Sequence, residues 1–312
     1  MESFIIAANT VLPLFLLMSA GYLVKRLKLI CDKTEKQMNA IIFKLFLPVL
    51  LCTNIMSASD MEAVSPSVFV YCAVSVSAMF LLYFLIIPLI EKDKSRRGVL
   101  IQGAGRSNYA LFGVPLVTYL FPNGDAVLAS LMVAVTVPLY NIFSVIALEI
   151  NRGQKAKPGK ILLSVVKNPL IIGCFVGFIL MITKLQLPPF LMTGMKEMGK
   201  IASPLALFLL GASFEFSRVS KNKKQLFIGV AGKLVFTPLL GVTGAILMGY
   251  RGVALATLLV AFASPTAVSS YPMAIEMGGD GELAGQQVVF SSAFSVVTMF
   301  FWIFFLKLFN LL

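Results

Sequence analysis

GAGRSNYALFGVP, residues 103–115, lies in a stretch apolar enough to cross a membrane, yet it holds three glycines, an arginine, an asparagine and a closing proline. Glycine and proline are the poorest helix formers. An arginine at the bilayer centre costs about 2.5–3.5 kcal/mol on insertion scales. Such a segment is tolerated in hydrocarbon where its freed backbone groups and its charge meet protein or water.

The rest of the chain puts this stretch in a membrane. It has 312 residues, 58% of them hydrophobic and only 13% charged, with a mean hydropathy of +0.91. A soluble chain carries about 25% charged residues, so the composition implies an integral membrane protein with the lipid bilayer as a partner. The net charge is +12. Its basic residues cluster between apolar spans, which reads as loop charge and not as a nucleic-acid surface. There is no histidine, which removes His-based metal sites, Ser-His-Asp triads and Cys-His dyads. Cys31, Cys52, Cys72 and Cys174 have no C-x-x-C spacing and read as free thiols. The N-terminal MESF has no basic region and is expected to open the first span, not a removable leader.

A window of about 20 residues gives ten candidate spans, roughly 4–24, 37–57, 67–90, 98–121, 126–150, 161–183, 190–216, 225–250, 252–277 and 282–309. The seventh could begin as a surface helix around Lys196–Lys200. With the N-terminus outside, the inner loops carry 17 basic residues and the outer segments five, so the positive-inside bias places both termini outside. Lys155, Lys157 and Arg218 are among the inner charges. Lys44, Lys167 and Lys233 lie within reach of the inner face and are expected to snorkel to it.

The connector NRGQKAKPGK, 151–160, divides the chain into halves of five spans, 1–151 and 152–312. The halves look related: Asp125 falls on Asp280, Pro48 on Pro204 and Arg97 on Arg251, at offsets of 154–156 residues. Five spans is an odd number, so the second copy enters from the opposite side, as in the inverted repeats of secondary transporters. The fourth span holds Gly103, Gly105, Gly113 and Pro115. The ninth, AFASPTAVSSYPMA at 261–274, holds Pro265 and Pro272. Paired interrupted spans in corresponding positions point to a substrate site.

Arg106 lies near mid-depth of the fourth span. Its planar fork suits a carboxylate or phosphate. Asn108, Ser107 and Tyr109 stand beside it, and Ser264, Thr266, Ser269 and Ser270 on the facing break can donate or accept. The alternative is a structural ion pair, with Glu149 and Glu276 as candidate partners, or a side chain that snorkels. Asn141, near Pro138 in VTVPLYN, could line the same cavity or hold helices together by hydrogen bonding. The candidate substrate-binding set is therefore Arg106, Asn108, Gly113, Pro115, Asn141, Ser264, Pro265, Thr266 and Ser269.

RSNYALFGVPL (106–116), PTAVSS (265–270) and GGDGELA (278–284) resemble the auxin efflux carrier family across nearly the whole chain. The short 151–160 linker makes it similar to bacterial members, in a cytoplasmic membrane. The resemblance implies an all-α protein of ten transmembrane helices in two inverted five-helix repeats, similar to bile acid sodium symporters. It implies a scaffold of spans 1, 2, 6 and 7 and a transport domain of spans 3–5 and 8–10. It also implies that spans 4 and 9 cross near Pro115 and Pro265 and bind organic anions there, such as malate or malonate. Asn108 falls where the family's crossover asparagine is expected, and the ninth span offers no matching asparagine.

No cofactor or metal is expected. Coupling to Na⁺ or H⁺ is left open, with Thr266, Ser269 and Asn141 as candidate Na⁺ oxygens, and a homodimer is a candidate assembly. The sequence has no Walker A motif. The readings from other classes are an intramembrane enzyme and a receptor that does not transport. An aspartyl protease of this kind would want G-x-G-D, and residues 277–280 read Met-Gly-Gly-Asp.

Overall fold

The computed structural model describes residues 2–56, 66–121, 127–152, 158–185, 187–215 and 219–312. Asp125 of the repeat comparison and the inner charges Lys155, Lys157 and Arg218 lie outside the described residues. Within those residues the chain is helical, and its one isolated β-bridge joins Ser107 to Thr266. In hydrocarbon no water satisfies the backbone, so helices that bond within themselves are the stable solution.

The elements run in order as α1 (Glu2–Arg26), α2 (Asp32–Met56), α3 (Pro66–Ile90), α4 (Lys94–Gly105), α5 (Tyr109–Leu120), α6 (Val127–Ile150) and α7 (Pro158–Val166). They continue with α8 (Pro169–Thr183), α9 (Pro189–Ser213), α10 (Ser220–Leu247), α11 (Gly252–Ala263), α12 (Ser270–Glu276) and α13 (Gly281–Leu308). Five of them (α2, α3, α6, α10 and α13) are long and apolar enough to cross a membrane, and α5, α8 and α11 are shorter apolar helices. On α3, Leu81, Leu85 and Leu89 recur every fourth residue and are exposed, which suits contact with lipid.

Two packing groups are visible. In the first, α1 lies on α9, and α2 lies on α8 and α9. Both contacts depend on glycine. A Cβ at Gly21 would sit 1.8 Å from the carbonyl oxygen of Phe208, and one at Gly211 1.9 Å from that of Met18. In α8, Gly173 and Gly177 form a G-x-x-x-G pair, where a Cβ would meet the Pro48 and Cys52 carbonyl oxygens at 2.5 and 2.8 Å. Small residues at this spacing let membrane helices approach closely enough for backbone contact. In the second group α4 packs on α6, α10 and α13, α6 on α3, α11 on α10 and α5, and α12 on α13.

The structure departs from the expected spans at four places. The stretch 161–183 is two helices, because Asn168 accepts the Leu170 amide at 3.0 Å and Pro169 starts a new helix in α8. Helix α9 is continuous across Lys196–Lys200 and no separate surface helix forms there. The fourth span breaks at Arg106–Asn108 and not at Pro115. Pro115 instead follows a π-helical turn, Tyr109–Gly113, in which the Val114 amide reaches back to the Tyr109 carbonyl. One wide turn absorbs the missing proline donor without ending the helix. The ninth span breaks between Ala263 and Ser270, around Pro265, while Pro272 sits in the first turn of α12, where proline is tolerated.

Candidate functional site

Each break ends a half-helix and leaves backbone carbonyls without their usual donors four residues on. In α11 the Ala261 carbonyl would look to position 265, which is proline and has no N–H. The Phe262 carbonyl would look to Thr266, whose amide goes instead to Ser291 Oγ at 3.0 Å. In α4 the Ala104 carbonyl would look to Asn108, whose amide crosses to the Pro265 carbonyl at 2.8 Å. These groups must find other partners, since a buried orphan costs about 1–3 kcal/mol.

The partners come from the facing break and from α3, α6 and α10. Thr266 Oγ1 donates to the Gly103 carbonyl at 2.8 Å, and Thr237 Oγ1 to the Ala104 carbonyl at 3.1 Å. With the Thr237 proton on Ala104, the single Tyr83 hydroxyl proton is shared between two acceptors, Thr237 Oγ1 at 2.7 Å and the Gly232 carbonyl at 2.9 Å. On the other half-helix the Ala261 carbonyl accepts from Ser107 Oγ at 2.5 Å and from the Tyr140 hydroxyl at 2.7 Å. The Phe262 carbonyl accepts from Lys233 Nζ at 3.1 Å, and the same ammonium donates to Ser107 Oγ.

Arg106 is 3% exposed. Its Nη2 donates to Asn141 Oδ1 at 3.0 Å and to Ser269 Oγ at 2.7 Å, and Nη1 lies 2.9 Å from Met273 Sδ. Asn141 is itself oriented by its amide nitrogen, which donates to the Val137 carbonyl at 2.8 Å, next to Pro138. The alternative, an ion pair with Glu149 or Glu276, is not formed. Glu149 pairs with Arg152 at 3.5 Å, and Glu276 accepts from Asn39 at 3.4 Å. Among the described residues no carboxylate meets the Arg106 guanidinium.

A narrow pocket of about 50 Å³ opens on this face of the crossing. Arg106, Asn108, Asn141 and Ser269 line one side of it, and Leu50 and Asn54 of α2 with Ser203 of α9 line the other. The Asn108 side-chain nitrogen is buried without a partner. Four of the nine candidate residues therefore meet at the pocket. The other five build the crossing behind it. Ser264 Oγ bonds its own helix at Val260, Pro265 and Thr266 make cross-break bonds, Gly113 packs on Val260, and Pro115 continues α5.

The three oxygens suggested for Na⁺ are engaged differently. Asn141 Oδ1 and Ser269 Oγ accept from Arg106, and the Thr266 hydroxyl donates to the Gly103 carbonyl. Lys44 and Lys167 are exposed. Lys233 is not: it is fully buried and reaches the crossing. It sits in a π-helical turn, Gly232–Phe236, and a helical register alone could not reveal that turn. Thr237 and Tyr83 escaped sequence reading because an isolated Thr or Tyr in an apolar span carries no pattern. Lys233 did carry a signal, since an intramembrane charge is a functional candidate by default.

The chain is similar to known proteins along most of its length. The family model described as "Membrane transport protein" matches residues 6–303. An uncharacterized transporter of Methanothermobacter thermautotrophicus is 22% identical over 300 residues, 95% of this chain and 97% of that one. A putative malonate transporter of Rhizobium meliloti is 23% identical over 296 residues, 93% of this chain and 92% of that one.

Proposed function

Because this chain belongs to the membrane transport protein family, that of the auxin efflux carriers, we propose that it is a secondary carrier of small organic anions, carboxylates such as malate or malonate. The observation that carries the substrate class is Arg106: a buried guanidinium at the pocket wall whose partners are all neutral. A buried charge without a counter-ion is costly. An anion entering the pocket supplies the missing partner, and guanidinium binds carboxylate in a forked, directional way. The name of the Rhizobium relative is consistent with a dicarboxylate.

The proposed architecture is ten transmembrane helices in two inverted repeats, residues 1–151 and 152–312. Helix starts at Glu2, Asp32, Pro66, Lys94 and Val127 recur at Pro158, Pro189, Ser220, Gly252 and Gly281, each about 156 residues on, as a repeat requires. The group of α1, α2, α8 and α9 reads as the scaffold and the group around the crossing as the moving transport domain. The pocket lies between them, so its wall changes partners when one group slides past the other. Loading requires the pocket to widen. We place the protein in a bacterial cytoplasmic membrane, on its short 151–160 linker, with both termini outside, on the charge bias of its loops.

The test is uptake of labelled malate, malonate and aromatic acids into proteoliposomes, with Na⁺ and pH gradients imposed separately. Saturable uptake of a small carboxylate is expected. No flux of any anion under any gradient would sink the carrier reading.

A further inference from the structure

Lys233 is the second buried basic side chain of the crossing, and it does not line the pocket. Its ammonium stands where the carbonyl end of α11 has lost its own donors. It donates to the Phe262 carbonyl at 3.1 Å and to Ser107 Oγ, which in turn donates to the Ala261 carbonyl at 2.5 Å. The carbonyl end of a helix carries partial negative charge and favours a cation. The opposite half-helix end, at Ala104, is met by a neutral hydroxyl, Thr237, one turn along the same α10 face. Among the described residues no carboxylate pairs with Lys233.

We propose that Lys233 is a built-in cation for the crossing: its ammonium occupies the oxygen-lined position that would otherwise call for a dissociable Na⁺ or similar small cation. The position has the ingredients of a cation site, which are a backbone carbonyl, a hydroxyl and a helix C-terminus. The chain fills it covalently. The crossing is then held together at all times, and its geometry does not depend on Na⁺. Arg106 stays directed at the pocket, and the positive charge of Lys233 adds to the attraction for an anion from behind the crossing. This deepens the carrier reading and rests on it for its transport consequence, while the structural claim stands on the Lys233 contacts alone.

The test uses the purified full-length chain in detergent and in proteoliposomes. Melting is compared in NaCl, KCl and choline chloride for the wild type, Lys233→Ala and Lys233→Met. The wild type is expected to melt at the same temperature in all three salts. Lys233→Ala is expected to melt lower and to be restored by millimolar methylammonium or Na⁺ but not by choline, which is too large. Lys233→Met fills the space without a charge, so it is expected to melt lower and resist rescue. Anion uptake is expected to fall at least about tenfold in both variants, the loss of one charge-assisted bond network, with methylammonium restoring the Ala variant only.

If Lys233→Ala does not fold, the Met variant and the wild-type salt series still decide. A wild type stabilised by Na⁺ over choline, or a Met variant that melts and transports as the wild type does, would overturn the proposal. Absence of flux in every protein, with the melting pattern intact, would count against the carrier reading and leave the built-in cation standing.

Discussion

The Asn108 amide donates to the Pro265 carbonyl at 2.8 Å, and that bond joins two interrupted helices 157 positions apart in the chain. Around it three further bonds each join two different elements: Thr266 to Gly103, Ser107 to Ala261, and Thr237 to Ala104. The crossing is therefore a shared backbone structure that neither half-helix could hold alone.

Thr237→Val keeps the shape of the side chain and removes the donor to the Ala104 carbonyl at 3.1 Å and the partner of Tyr83 at 2.7 Å. The carbonyl belongs to a buried residue and loses its side-chain donor, so we expect a loss of about 1–3 kcal/mol. Thr237→Ser should recover most of it. Melting of the purified protein in detergent measures both.

Asn141→Asp puts a carboxylate 3.0 Å from the Arg106 guanidinium, at the atom that now accepts its hydrogen bond. The internal carboxylate would then supply the counter-charge that the proposed substrate supplies. Anion affinity should fall more than about tenfold while the melting temperature holds or rises. Unchanged uptake in this variant would separate Arg106 from the substrate.

Gly211→Val drives a side chain into the Met18 carbonyl, where even a Cβ would stand 1.9 Å away. The backbone on the far side cannot yield without parting α1 from α9, so the cost should reach about 1–3 kcal/mol or more. Gly194→Val is the control, because nothing lies within 4 Å of its Cβ position. A melting comparison should show a drop for the first and none attributable to contact for the second.

Asp93, in the connection between α3 and α4, caps α4 by accepting from the Ser95 amide at 2.9 Å and its hydroxyl at 2.8 Å. The Ser95 hydroxyl bond is the largest cause holding the Asp93 carboxyl below its usual range, helped by the Ser95 amide and Arg96. Its folded pKa is thus below its unfolded one, about 3.9. The stabilisation is full above the unfolded value and disappears as pH falls through the folded one. Asp93→Asn keeps the cap without the titration, so the wild type should melt slightly higher at pH 7 and the difference should close in acid.

Much of the fold could be read before the structure. Apolar length marked the long helices α2, α3, α6, α10 and α13, because a bilayer demands it of any spanning helix. Gly and Pro marked two interrupted spans, but the fourth span breaks at Arg106–Asn108, seven residues and more ahead of Pro115. Proline only loses a donor, which a π turn can accommodate. The break forms where backbone groups have better partners across the crossing, and such partners are invisible in a linear chain. Arg106 was legible as a buried charge, and Asn141 and Ser269 as polar groups of the same site; which of them the guanidinium bonds was not, because Glu149 and Glu276 have the right sign but bond elsewhere. Position along a regular helix puts Lys233 within reach of the inner face, while the fold, with a π-helical turn at Gly232–Phe236, turns its side chain inward.

The most direct test of the central claim is a calorimetric titration of the anion that the wild type takes up fastest, into the wild type and into Arg106→Gln. Glutamine keeps polar atoms near Asn141 and Ser269 but carries no charge. The account predicts that affinity falls at least about tenfold in the variant, with melting changed far less. Equal affinity for the anion in both proteins would contradict it.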